Sequence, residues 1–134
     1  NGGAIGPDVK MAMIATRDIG AAAGAALAAR DWSGVEVRNL LGPRDLSLAE
    51  LTRILGAAIG KPDLAYVQFP YEAFGAALVQ AGLTPDLAGL YVEMSRAFND
   101  GIVKVVGGRT PASTTPTTFE SFAKEVAAAY AAGG

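Results

Sequence analysis

Thr16, Arg17 and Asp18 bring a hydroxyl, a guanidinium and a carboxylate together where a short apolar run, Met11 to Thr16, gives way to a helix. In open α/β sheets ligands bind beyond the carboxyl ends of the strands, so this triplet is the best polar candidate for a site. A purely structural role competes with it: Thr16 or Asp18 can cap the helix while Arg17 pairs locally. Tyr66, Tyr71, Phe74, Tyr91, Met94 and Phe98 form a second group that could line an apolar pocket, although residues at helical spacing are usually ordinary core. Glu72 and Glu93 read as solvated, and no closely spaced carboxylate pair points to a metal or glycosidase centre. The opening Asn1-Gly2-Gly3-Ala4-Ile5-Gly6 looks superficially like a phosphate-binding turn. Such a turn follows a strand and opens a helix, however, and here Pro7-Asp8 follows instead. It is read as a flexible or substrate-facing loop.

Composition narrows the chemistry further. The 134 residues contain no Cys and no His, which removes disulfides, thiolate nucleophiles, imidazole bases and the ligands that soft metals prefer. A Ser-His-Asp triad is excluded. The net charge of −2 and the dispersed basic residues give no electrostatic case for nucleic acid. The longest apolar stretches, Ile19 to Ala29 and Val126 to Ala132, are too short and too rich in alanine to span a bilayer, so neither nucleic acid nor membrane is an expected partner. The expectation is a soluble, cytoplasmic protein with one core. No signal-peptide pattern is visible, and the first residue, Asn1, is read as the mark of truncation, proteolysis or design.

The elements that must position these residues can be taken from local patterns. Val35, Val37, Leu40 and Leu41 predict a buried strand ended by Gly42-Pro43. Ser47 and Glu50 then have the spacing of a capping box, with Leu46 and Leu51 as its staple, and a helix follows from about Leu48 to Ile59 with Gly60 as its exit. Leu64 to Phe69 reads as a second strand, so that strand, helix and strand make one right-handed βαβ unit. Upstream, Met11 to Thr16 reads as a strand and Asp18 to Ala29 as a helix whose apolar side is Ile19, Ala23, Ala26 and Leu27. Gly20 and Gly24 in that helix imply a backbone packed close by. Downstream, Tyr71, Phe74, Ala77 and Leu78 predict a helix closed at Gly82-Leu83. Thr84-Pro85-Asp86 opens the next, with Leu87, Leu90, Tyr91, Met94, Ala97 and Phe98 as its stripe and Gly101 as its stop. Ile102 to Val106 is a short strand or an extended tail, and residues 107–116, like 1–10, are loop. Thr117 and Glu120 repeat the capping-box spacing before a last helix striped by Phe119, Phe122, Val126 and Tyr130.

The succession MIATRDIGAAAGAAL, VRNLLGPRDLSLAELTRILGAAIGKP, LAYVQFPYEAFGAALVQAGL and TTFESFAKEVAAAY resembles the carboxyl-terminal half of an NmrA-like atypical short-chain dehydrogenase/reductase. The resemblance implies an α/β chain, the C-terminal part of a Rossmann-like fold. It would hold two to three short strands and about five helices, with residues 1–134 as one substrate-side portion. The family's Gly-x-x-Gly-x-x-Gly turn has no counterpart here, and position 75, four after Tyr71, is glycine, so the tyrosine and lysine dyad of typical short-chain dehydrogenases is missing too. NAD or NADP would belong to the full-length protein, held by an N-terminal Rossmann half, and none is expected to bind this chain alone. By position, Thr16 and Arg17 would border the cleft for a small-molecule substrate, with Tyr71, Phe74, Tyr91 and Met94 as its walls. No catalytic, cofactor-binding or metal-binding residue is assigned. Whether the whole is an enzyme, an NAD(P)-linked redox sensor or a small interaction module stays open, and self-association is expected if the piece folds without its other half.

Overall fold

In the computed structural model, which describes residues 1–133, the chain is mixed α and β. Two-residue strands β1 (Gly2–Gly3) and β2 (Lys10–Met11) precede α1 (Thr16–Ala29). Strand β3 (Leu46–Ser47) runs directly into α2 (Leu48–Ala58), and β4 (Val67–Gln68) is followed by α3 (Tyr71–Gln80), α4 (Pro85–Asn99) and α5 (Phe119–Ala132). The strands form two separate pairs, β1 parallel to β4 and β2 antiparallel to β3. Helix α2 packs on α5, and α3 on α4.

The helix boundaries follow from local chemistry. Ser47 Oγ accepts from the Glu50 amide while the Glu50 carboxylate accepts from the Ser47 amide, closing the expected box. Leu46 and Leu51 are both buried, and Gly60 takes a left-handed φ of +74°. Leu83 donates to the Leu78 carbonyl and Gly82 to that of Val79, the Schellman pattern expected there. Thr84 caps α4 by accepting from Leu87, with Pro85 at the first helical position. At α5 the cap is shifted by one residue: Thr118, not Thr117, accepts from the Ser121 amide. Thr117 is engaged elsewhere.

The strands depart further from expectation. Val35 and Val37 are 97% and 87% exposed, and between Val35 and Leu41 the only pairing is a single parallel bridge from Leu41 to Thr114. The expected βαβ unit is therefore not formed, because β4 finds its partner in β1 at the start of the chain. Of Met11 to Thr16 only Met11 lies in a strand, since β3 offers two residues before its chain turns into α2. Ile102 to Val106 is an exposed tail with no strand.

Packing is thin. Six hydrophobic residues are buried among those described, Ala4, Leu41, Leu46, Leu51, Ala88 and Ala123, and six polar ones accompany them. The stripe Leu87, Leu90, Tyr91 and Met94 faces outward, as do Ile19 and Leu27 of α1, whose one buried residue is Asp18. No backbone lies against Gly20 or Gly24: a methyl group placed on either would meet nothing within 4 Å. Gly42 is the opposite case, where a β-carbon would overlap the Met13 carbonyl and nothing larger than hydrogen fits. The accessible surface is 8865 Å², whereas a compact monomer of 13.6 kDa exposes about 6,600 Å². The difference, about 2,300 Å², shows how little of the chain is buried.

Candidate functional site

Helix α1 starts without a side-chain cap. Its N-cap is Ala15, so neither Thr16 nor Asp18 performs the capping that the triplet offered. Asp18 instead reaches across the fold, accepting from the Thr117 amide at 3.0 Å and the Thr117 hydroxyl at 2.7 Å. These bonds, the hydroxyl's first, outweigh the opposing effect of burial and hold the Asp18 carboxyl below the ordinary aspartate range. Arg17 does not pair locally either. Its Nε donates to Thr117 Oγ1 at 3.2 Å and its guanidinium forms an ion pair with Glu125 of α5. Thr117 is thus clamped by both members of the pair, which fastens the first turn of α1 to the entry of α5.

Beneath that clamp lies a cavity of about 220 Å³, lined by Met13, Ile14, Ala15, Thr16, Thr117, Thr118, Phe119 and Phe122. Its wall is apolar apart from three threonines, and two helix N-termini border it. Hydroxyls of threonine do not titrate near neutral pH, so the arrangement can hold and orient a small group but cannot move a proton.

The second group of expected residues, apart from Tyr66 beside β4, lies on the α3–α4 hairpin. The cavity lined by Thr16 contains none of them, and the groove lined by Tyr71 contains neither Thr16 nor Arg17. Tyr71 is fixed on both sides: its hydroxyl accepts from Asn99 Nδ2 at 2.6 Å and the Arg96 guanidinium stacks 4.0 Å from its ring centre. Phe74 is half-buried, and Tyr91 and Met94 lie on the outward face of α4. Thr16 and Arg17 therefore lie at one place and the α3–α4 residues at another, and of Tyr71, Phe74, Tyr91 and Met94 only Tyr71 lines the groove.

Asn99 was not evident as a key residue from the sequence. It accepts from the Gly6 amide at 2.7 Å and donates to the Ala4 carbonyl at 3.0 Å as well as to Tyr71. Tyr66 donates to the Ile5 carbonyl at 2.9 Å, and burial pushes its hydroxyl upward in pKa. Asn1 donates to Thr52 at 2.7 Å. The glycine-rich opening is consequently a tethered segment carrying β1, with its carbonyls and amides spent on the protein itself. Residues 107–116 are likewise anchored: Arg109 donates to the Gly42 carbonyl and pairs with Asp45, Thr115 donates to the Leu41 carbonyl through both its amide and its hydroxyl, and the Leu41 amide donates to the Ser113 carbonyl.

A wider trough, about 1180 Å³, opens between α1 and residues 31–40 and 106–113. Ile19, Ala22, Ala26, Trp32, Leu40 and Val106 line it. It exceeds the size of usual small-molecule sites.

No helix among the described residues is long and apolar enough to cross a membrane, and no group of three or more Asp, Glu, His or Cys residues that could hold a metal occurs among them. No protein-family profile matches this chain, and no curated protein is significantly similar to it.

Proposed function

We propose that this chain is the substrate-side portion of an NAD(P)-dependent oxidoreductase-like protein with a Rossmann-like fold, working in the cytoplasm with the nucleotide gripped by a companion unit. The single observation that carries the companion is the excess of about 2,300 Å² of surface over that of a compact monomer of this mass. Its character supports the same reading. Helix α1 turns Ile19, Leu27 and two open glycines to solvent beside an apolar trough, and α4 turns Leu87, Leu90, Tyr91 and Met94 outward. The oxidoreductase class is supported by the order of the four segments that resemble NmrA-like proteins. Thr16 and the cavity beneath the Arg17–Thr117–Asp18 clamp would meet a small apolar part of the substrate, while Tyr71, Phe74, Tyr91 and Met94, which lie apart from that cavity on the α3–α4 hairpin, would be covered by the companion.

Two measurements test this. NADH and NADPH titrated against the chain alone should show no saturable binding in the micromolar range, because the pyrophosphate turn is supplied elsewhere. Co-expression with the N-terminal Rossmann half of an NmrA-like dehydrogenase should give a one-to-one complex that binds NAD(P)H. Micromolar binding by the chain alone, or no complex with such a half, would overturn the proposal.

A further inference from the structure

Residues 31–40 make no backbone-to-backbone hydrogen bond among the described residues; the ladder resumes only at Leu41, whose amide donates to Ser113. Within that stretch the sequence alternates with a period of two from Val35 to Arg38, although no strand forms there. Glu36 and Arg38 stand side by side on one face, joined by two bonds of 3.0 and 3.1 Å, while Val35 and Val37 are almost wholly exposed. Apart from Asn39, whose Nδ2 donates to the Val106 carbonyl at 3.1 Å, the stretch bonds to no other part of the chain among the described residues, so its backbone is open to pairing.

We propose that the edge of Val35–Asn39 pairs with the same edge of a second copy of this chain, antiparallel and centred on Val37. In that register Val37 stands opposite Val37 of the second copy. Glu36 then stands opposite Arg38, and Arg38 opposite Glu36, so that four charges alternate on one face while the valines meet on the other. Neighbouring registers fail. A shift by one residue sets valines against charges, and a shift by two in either direction sets Glu36 against itself or Arg38 against itself. A parallel in-register arrangement also opposes like charges. The sequence is therefore self-complementary in one antiparallel register, the isologous arrangement that two-fold symmetry requires. Five facing residues supply roughly four to six backbone bonds. Because a strand has two hydrogen-bonding edges, this pairing goes beyond the companion proposed above and does not depend on it.

Sedimentation equilibrium of the full chain should show a concentration-dependent dimer. Glu36→Arg and Arg38→Glu should each weaken it by about tenfold or more, since each sets like charges opposite in both places. An equimolar mixture of those two variants should associate again, now as a heterodimer with two basic residues facing two acidic ones. Val37→Cys should form a disulfide-linked dimer on mild oxidation, with no native cysteine to compete, whereas Asp63→Cys in an exposed turn should not. These positions lie outside the buried core, so unchanged far-ultraviolet spectra will show that the variants fold. A monomer at every concentration, a dimer indifferent to both charge reversals, or equal cross-linking at positions 37 and 63 would overturn the proposal.

Discussion

Gly20 and Gly24 offer a test of whether α1 is a finished surface. Each lies inside a fourteen-residue helix, where glycine costs about 1 kcal/mol relative to alanine through backbone entropy. In this structure a β-carbon at either position meets nothing within 4 Å, so no packing cost opposes the gain. Gly20→Ala with Gly24→Ala should thus stabilise the isolated chain by about 1–2 kcal/mol and raise its midpoint by roughly 4–8 °C, scaled for a chain of this length. Thermal melts followed by circular dichroism at 222 nm measure this directly, at a protein concentration low enough to keep the chain monomeric. The same pair should weaken assembly with a Rossmann companion, because glycines with open space on their own chain fit a neighbour's close approach. A melting point that falls, or a stabilised variant that binds the companion as tightly as the parent, would refute the reasoning that α1 is an interface.

The tethers make further predictions. Asn99→Ala leaves the Gly6 amide without its partner and frees Tyr71, which should cost about 1–3 kcal/mol and speed hydrogen exchange at Gly6 while leaving the α2 cap unaffected. Equal exchange at Gly6 in both proteins would count against the tether. Acid should destabilise the fold. Asp18, Glu50 and Glu120 are held below their ordinary ranges, chiefly by bonds from Thr117, the Ser47 amide and Arg44. Their folded pKa values lie below the unfolded ones, so their contribution is complete above the unfolded values near 4 and is lost as pH falls through the folded ones. With no histidine present, urea midpoints should be nearly level from about pH 6 to 8 and drop towards pH 3. Asp18→Asn should flatten that drop, and a wild-type midpoint unchanged at pH 3 would contradict the assignment.

What the sequence made legible and what it hid divide by range. Ser47 with Glu50, Thr84 with Leu87 and Leu83 with Leu78 act within a few residues, so their patterns alone identify the ends of α2, α3 and α4. Asp18 with Thr117, Asn99 with Gly6 and Arg109 with Asp45 join residues 99, 93 and 64 positions apart. No local rule connects them. The Thr- and Pro-rich residues 107–116 therefore read as plain loop, although their hydroxyls anchor the chain at Leu41, and the glycine-rich opening read as free although Asn99 and Tyr66 hold it.

The apolar stripes expose a different limit, and it bears on function. Periodicity at Leu87, Leu90, Tyr91 and Met94 states which face of α4 is apolar but not what covers it, and the period-two run at Val35 and Val37 states that a strand is encoded but not where its partner lies. Both patterns are well formed in the sequence and uncovered in the structure. A helix striped for burial in a chain with a core of six small or medium apolar side chains is not explained by that core. Leaving the four side chains of that stripe 42–61% exposed forgoes roughly 1 kcal/mol apiece, a loss that approaches the whole stability of a small domain. That shortfall is what the two proposals address, with the α1 and α4 faces proposed to meet a companion and the Val35–Asn39 edge a copy.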